Sequence, residues 1–528
     1  MEIDNTLSVY KFKKSQVIEE IEECEHKSFG IIKLKPKALN ISKVPLHIIL
    51  TVDVSYSMEE QCIYKKKSYT KLDYVKATLK SIFNYLKKEY NDRDILISLI
   101  SFSEEAEVIE QFIELKNTDL QYLITLVDKL EADGCTNIYD ALKKASNLYN
   151  ELEEYIILNY DLKIKYKLDS FKNVNILLTD GEVTAGNDNP IILSEMARPQ
   201  YIELQLLGYG EDHDSKLLKM LEKETKGEYR FVDSFESAGA VYGDVLSSIL
   251  HPAWKDVNII IENGLIYDYH ENKWKASIHI PQIGDECEKV LSCRLFDNPR
   301  VLISYIDITG ERGFISNKVS NLVSNSEENS LKETDNIELR CYWLRHLTLE
   351  LMNEVFSNNE KTSDISHNKR GLFQTPRRDM NRISNNDKNN TVLLEKVTKL
   401  LNNINKFEVK MGISLPEKYQ EMMKDLKDDL LIAKKCIEDK NQSSDMYLYS
   451  RIASQGGQRA YNTNMNMNIN DHNNLQVQFD NTYSNSLRSQ VNTVRQQNRV
   501  SSYASPHAQR VMSQVSQLSQ DILSESMD

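Results

Sequence analysis

The chain has 528 residues, too many for one core, and roughly two to four domains follow from length alone. Its 65 basic against 79 acidic residues give a net charge of −14, which argues against a primary nucleic-acid binder. The seven cysteines are scattered and form no Cys-x-x-Cys pair. Met1–Gln16 lacks the apolar core of a secretory signal, and no run approaches the roughly 18 apolar residues of a membrane span. The expectation is a soluble protein of a reducing, cytoplasmic compartment.

Residues 1–43 hold a short acidic amphipathic piece, Val17 to Glu23. Then comes Phe29-Gly-Ile-Ile-Lys-Leu-Lys-Pro, which alternates like a half-exposed strand and needs a sheet from later in the chain.

Across 44–250 strand and helix patterns alternate, the sign of an α/β domain with a mostly parallel, doubly wound sheet. The first strand ends at Asp53, and a loop with Lys65-Lys66-Lys67 follows. Leu72, Val75, Leu79, Ile82 and Leu86 then mark an amphipathic helix. Buried strands are expected at Asp94–Phe102, Ala106–Phe112, Asn173–Thr179, Tyr201–Gly208 and Gly227–Val232. Asn117 or Thr118 caps a helix carrying Leu120, Leu123, Val127 and Leu130; further helices run over Asp214–Thr225 and Glu236–Leu250.

Residues 251–330 lose helical periodicity. Val257–Ile261, Lys275–Ile280, Val290–Phe296 and Val301–Ile306 read as strands of a small antiparallel β-sandwich, which residues 29–41 would complete. Helix returns over 331–356, and 357–390 is a polar linker. Residues 391–440 form a helical hairpin, its second helix opening at Ser414-Leu-Pro-Glu417, with stripes that equally suit self-association. From 441 to 528 there is no lysine, six arginines and much Ser, Asn and Gln, the composition of a disordered tail. Within it Tyr447–Tyr461 and Tyr503–Val511 combine aromatics with arginine, as short docking segments do.

Chemistry concentrates at strand ends. Ile48-Ile-Leu-Thr-Val-Asp-Val-Ser-Tyr-Ser57 is a buried strand that closes in Asp53, Ser55 and Ser57, three hard oxygen donors at alternate positions. Thr136 lies in a loop before a helix, and Asp180 at the end of another strand. In an open parallel sheet such ends surround the ligand crevice. A hard cation such as Mg2+ or Mn2+ takes about six oxygens: Ser55, Ser57 and Thr136 offer hydroxyls, while Asp53 and Asp180 ligate directly or hold waters. One position then stays open for a carboxylate from a partner. Alone, Asp-x-Ser-x-Ser also fits a helix cap or turn.

Asp53-Val-Ser-Tyr-Ser-Met58, Gly134-Cys-Thr-Asn-Ile138 and Leu178-Thr-Asp-Gly181 together resemble a von Willebrand factor A domain with a complete metal-ion-dependent adhesion site. The resemblance implies a Rossmann-like central sheet with one antiparallel edge strand and helices on both faces. It also implies Ser55, Ser57 and Thr136 on the cation, and Asp53 and Asp180 acting directly or through water. Gly208–Asp214, followed by a helix and Gly227–Val232, is similar to intracellular eukaryotic A-domain proteins with β-rich and helical C-terminal regions. RING zinc ligands and a Hint module are absent from the sequence, so ubiquitin-ligase activity is not implied. Tyr56 and Cys135 stand where glycine is common in the family, which bears on ligand preference.

Other polar residues read as structural: His213 between Asp212 and Asp214, with Asp214 capping a helix; Glu182 and Asp188 as solvated loop acids; Cys287 and Cys293 as isolated thiols. The expected function is a non-enzymatic, cation-dependent adaptor or scaffold without catalytic residues. It grips an Asp or Glu of a protein partner and uses neither nucleic acid nor a membrane span. The alternatives are a Mg2+-dependent phosphohydrolase using Asp53, and a structural assembly protein. Against the first stands the lack of a phosphate-cradling glycine loop or an Asp-x-Asp after a strand.

Overall fold

The computed structural model describes residues 6–11, 28–36, 44–64, 67–198, 200–210, 213–233, 235–308, 310–318, 332–333, 337–367, 380–439, 442–463 and 500–525. The expected amphipathic piece Val17–Glu23 lies outside these residues.

The chain opens with β1 (Thr6–Lys11) and β2 (Phe29–Lys35), then enters the α/β region at β3 (Leu46–Asp53). A hairpin, β4 (Gln61–Tyr64) and β5 (Lys67–Thr70), leads into α1 (Lys71–Glu89). Next come β6 (Ile95–Phe102), β7 (Ala106–Glu114), α2 (Leu120–Asp128), α3 (Ile138–Leu158) and α4 (Tyr160–Lys165). After these follow β8 (Lys172–Thr179), α5 (Pro190–Ala197), β9 (Ile202–Tyr209), α6 (Ser215–Thr225), β10 (Glu228–Val232) and α7 (Phe235–Leu250). The central sheet has the order β10-β9-β8-β3-β6-β7, parallel except for β7 at the edge.

β3, β6 and β8 are buried at every residue, which explains their unbroken apolar runs: helices cover both faces. Leu46, Ile48, Leu50 and Val52 face the α1, α2 and α7 side, whereas Ile49 joins Ile100, Ala141 and Leu142 on the α3 side. The chain leaves β3 for β6 and β7, then crosses back to β8, so the switch point lies between β3 and β8. The α2 cap is Asp119, which accepts from the Gln121 amide, not Asn117 or Thr118. Asp214 caps α6, as its position predicts.

The β-rich layer comprises β11 (Pro252–Asp268), β12 (Lys273–Lys275), β13 (Ser277–Gly284), β14 (Lys289–Asp307), β15 (Arg312–Lys318) and β16 (Lys332–Glu333). The expected strands 290–296 and 301–306 are one long strand. Register shifts opposite Asn263, and the left-handed backbones of Asn263 and Asn298, let β11 and β14 bend without ending. One half of β14 pairs with β2 and the other with β15, so the N-terminal strand does complete this layer. Leu7, Val9, Ile32 and Leu34 from one half share a core with Val257, Ile259, Val301 and Ile303 from the other.

The C-terminal third departs most from expectation. α8 (Ile337–His367) and α9 (Met380–Met411) extend into both ends of the expected linker 357–390; once a packed turn exists, adding helical residues costs little. The hairpin of α9 and α10 (Glu417–Asp439) buries Val397, Leu401, Ile404, Met422, Leu426 and Leu430 against α8, so its stripes serve the chain itself. The expected disordered tail contains α11 (Gln442–Gly457) and a C-terminal helix, Pro506–Glu525.

Between them a buried strap crosses the α/β region. Gln458 bonds both the amide and the carbonyl of Val290, at 2.8 and 2.9 Å. Arg459 reaches the Tyr229 carbonyl at 2.6 Å and Glu222 at 3.2 Å. The composition concealed a helical stripe, Ala508, Val511, Met512, Val515 and Leu523, whose spacers are Ser and Gln.

The C-terminal helix lies on α1 and α7, where Gly239 and Gly243 form a groove. A Cβ on Gly243 would fall 2.4 Å from the Met512 Cα. On an open helix Gly→Ala gains about 1 kcal/mol. Here Gly243→Ala is expected to destabilise by about 1–3 kcal/mol, the usual cost of overpacking, as measured by urea unfolding. Proteolysis near Ser505 should also accelerate as the helix loses its seat.

A second prediction concerns His213, which is fully buried with its ring 2.6 Å from the Gly210 carbonyl and 2.5 Å from the Tyr229 hydroxyl. Burial lowers its pKa from 6.5 to about 4, against the bond to Gly210. The unfolded chain thus binds a proton below the higher value that the folded chain refuses until the lower one, and stability falls with pH across that window. In His213→Asn the loss of stability between about pH 7 and 5 should shrink by about 2 kcal/mol relative to wild type. An unchanged slope in paired denaturation series would refute this.

Candidate metal centre

Asp53 ends β3 and Asp180 directly follows β8, so both acids stand at the switch point, 0 % and 1 % exposed. Buried carboxylates need partners, and each oxygen here has one. Asp53 Oδ1 accepts from the Ser55 amide at 2.9 Å, and Oδ2 accepts from the Thr179 hydroxyl at 2.5 Å. Asp180 Oδ1 accepts from the Ser57 hydroxyl at 2.6 Å, and Oδ2 from the Lys71 ammonium at 2.8 Å. The Ser55 and Ser57 hydroxyls lie 3.0 Å apart.

Thr136 is brought in by its loop. The Asp133 amide donates to the Val54 carbonyl at 2.7 Å and the Tyr56 amide to the Gly134 carbonyl at 3.1 Å, which ties this loop to the one after β3. Gly134 has φ +78°, a backbone that favours glycine at this turn. On the other side, the Thr136 amide donates to the Thr184 hydroxyl at 2.8 Å. Gly181 marks the meeting point: a Cβ there would sit 3.2 Å from Thr136 Oγ1 and 3.3 Å from Ser57 Oγ. The missing side chain leaves a cradle into which two hydroxyls face.

All five sequence-selected residues therefore converge. Among the described residues no group of three His, Cys, Asp or Glu side chains forms a metal cluster. The donor set is instead three hydroxyls backed by two carboxylates, the chemistry of a hard oxygen-seeking cation. Asp180 accepts the Ser57 proton, so the Ser55 hydroxyl is the donor in the Ser55–Ser57 contact and the Ser57 oxygen keeps one lone pair for a cation. Burial pushes the Asp53 carboxyl up to about 6, against its bonds from Ser55 and Thr179.

Two contributors escaped the sequence reading. Thr179 was legible in retrospect, since it precedes Asp180 and points to the same end of the sheet. Lys71 belonged to no motif; it opens α1, 4 % exposed, and also pairs with Glu60 at 2.5 Å. Burial opposes its charge, but the bonds to Asp180 and Glu60 prevail and its pKa is raised. Tyr56 is 63 % exposed beside the site, its hydroxyl bonded to Asp133, and Cys135 is exposed and free. His213 packs among Gly208, Tyr229 and Phe231 and contributes no donor to either acid.

The family model of the von Willebrand factor type A domain matches residues 47–244. The chain is 23 % identical over 257 residues to the inter-alpha-trypsin inhibitor heavy chain H3 of Pongo abelii, covering 48 % of this chain and 26 % of that protein. The Homo sapiens protein of the same name matches at the same identity and coverage. The chain thus spans about a quarter of the length of these curated relatives.

Among solved structures, a von Willebrand factor type A protein from Catenulispora acidiphila aligns with TM-score 0.46 and 13 % identity, covering 80 % of this chain and 89 % of its own. The ArnB paralog VWA2 from Sulfolobus acidocaldarius aligns with TM-score 0.41 and 13 % identity, covering 81 % and 92 %. Proximal thread matrix protein 1 from the mussel byssus, solved with a zinc-occupied MIDAS motif, aligns with TM-score 0.28 and 19 % identity, covering 39 % and 46 %. The match to the family model falls on the sheet and loops that assemble Asp53, Ser55, Ser57, Thr136 and Asp180: residues 47–244 are a von Willebrand factor type A domain.

Proposed function

We propose that the chain is a non-enzymatic adaptor or scaffold that binds an acidic residue of a protein partner through a divalent cation, Mg2+ or Mn2+. Such domains commonly mediate metal-dependent protein interactions. The observation that carries the reading is the convergence of the Ser55, Ser57 and Thr136 hydroxyls in front of two buried acids. A cation held by those hydroxyls supplies Lewis acidity toward one carboxylate. Asp53 fixes the loop backbone through the Ser55 amide, and Asp180 orients the Ser57 hydroxyl. Both Asp53 oxygens accept hydrogen bonds and the residue is buried, an arrangement suited to holding a loop and ill suited to nucleophilic attack on a phosphate ester.

The partner's chemistry follows from the rim. Glu59, Glu60, Asp133 and Glu182 are exposed on the same loops, so a carboxylate flanked by neutral or basic side chains suits this face better than an acidic tract. Tyr56, exposed beside the hydroxyls, offers an aromatic contact for the flanking residues. Residence in a reducing, cytoplasmic compartment fits the free thiols of Cys135, Cys287, Cys293, Cys341 and Cys436.

Mn2+ added to EDTA-stripped protein should raise the melting temperature, by about 2.7 kcal/mol of stability at a hundred times the dissociation constant. Ser57→Ala and Thr136→Val should abolish the rise while circular dichroism stays that of wild type. Partner capture should disappear in EDTA and in Asp53→Ala. Capture unchanged under both conditions would refute the reading. Tyr56→Ala should weaken capture and leave the metal-induced rise intact.

A further inference from the structure

We infer that Lys71 is a resident counter-charge that sets how tightly this site holds a divalent cation; the inference rests on the metal-binding reading above. Lys71 is the first residue of α1, whose N-terminus is fixed by the reciprocal capping bonds of Thr70 and Asp73. The Lys71 amide donates to the Glu60 carbonyl at 3.1 Å, pinning the backbone. A helix N-terminus favours anions, so a cation in the first position is the wrong sign for the helix. Its side chain is also withdrawn from water, at 5 % exposure. Neither helix formation nor solubility accounts for a lysine here. What accounts for it is Asp180, 2.8 Å away, and Glu60, 2.5 Å away.

The consequence lies in how Asp180 is occupied. One oxygen accepts the Ser57 proton and the other a proton of the Lys71 ammonium, so a cation reaching for Asp180 competes with the ammonium for the same carboxylate charge. Formal charge gives the same answer. Asp53 and Asp180 would contribute −2 to the site, and Lys71 reduces this to −1. A divalent cation then binds less tightly and keeps more positive charge for a partner's carboxylate. Glu60, 56 % exposed, draws on the same ammonium from the solvent side and moderates its effect. Lys71 is thus a positioning and charge-setting residue that acts through Asp180.

The test is a calorimetric Mn2+ titration of the EDTA-stripped full chain, comparing wild type with Lys71→Met, Lys71→Arg and Glu60→Gln. Lys71→Met should bind Mn2+ about tenfold more tightly, as expected for removing a nearby like charge in a partly buried site. Lys71→Arg should stay near wild type. Glu60→Gln should bind about twofold to threefold more weakly, because the ammonium loses its outer partner. A role confined to packing would weaken binding in both neutralised variants, so the opposite signs separate the two cases. If Lys71→Met does not fold, Lys71→Gln, which keeps a hydrogen-bond donor beside Asp180 without the charge, answers the same question: tighter Mn2+ binding supports the charge role, and unchanged or weaker binding overturns it. Wild-type binding with an unchanged or weaker Lys71→Met, or an unchanged Glu60→Gln, overturns the role of Lys71 and leaves the metal centre standing. No binding by any of the four chains overturns the metal centre and this inference together.

Discussion

Two carboxylates buried side by side at the ends of adjacent parallel strands are the constraint around which the α/β region is arranged. An ionised carboxyl without partners inside a protein is among the costliest things a fold can hold. Asp53 and Asp180 are nearly inaccessible, and each of their four oxygens accepts from a proton donor. The short turn after β3 returns the Ser55 amide and the Ser57 hydroxyl, β8 lends the Thr179 hydroxyl, and α1 lends an ammonium. The loop before α3 then adds Thr136, whose hydroxyl faces the Gly181 cradle.

The rest of the chain supports that arrangement from outside. β2 pairs with β14, so the segments before and after the α/β region join in one β layer. The strap from Gln458 to Thr463 links this layer to β10 and α7 through Arg459, Asp244 and Val290. Beyond it, the C-terminal helix packs on α7 and on α1, where Ser519 donates to Ser81 at 2.9 Å. Because α1 begins at Lys71, a helix near the end of the chain rests on the element that supplies an ion pair to the site. The connection is mechanical and continuous, one packed helix against another.

Much of this was legible without coordinates. Fully buried strands announce themselves because both faces must be apolar, and β3, β6 and β8 have that character. The five oxygen donors were legible because hydroxyls and acids at strand ends are poor choices for anything except a crevice. Less visible were features whose signal is diluted by composition. The C-terminal helix has apolar residues at helical spacing, but serines and glutamines between them mimic a low-complexity tail. The bends in β11 and β14 rest on asparagines with left-handed backbones, which in sequence look like loop residues between separate strands.

Sequence alone determined the strand and helix alternation, the donor types and their place at strand ends, because these depend on local periodicity and on the chemistry of individual side chains. Tertiary structure decided which oxygens meet. Thr136 and Ser57 face one point only because the strand order reverses between β3 and β8 and Gly181 leaves room there. It also decided the site's charge: Lys71 belongs to no motif and stands at a helix start where a cation is disfavoured. Only the placement of β8 beside β3 gives that ammonium a buried carboxylate to neutralise.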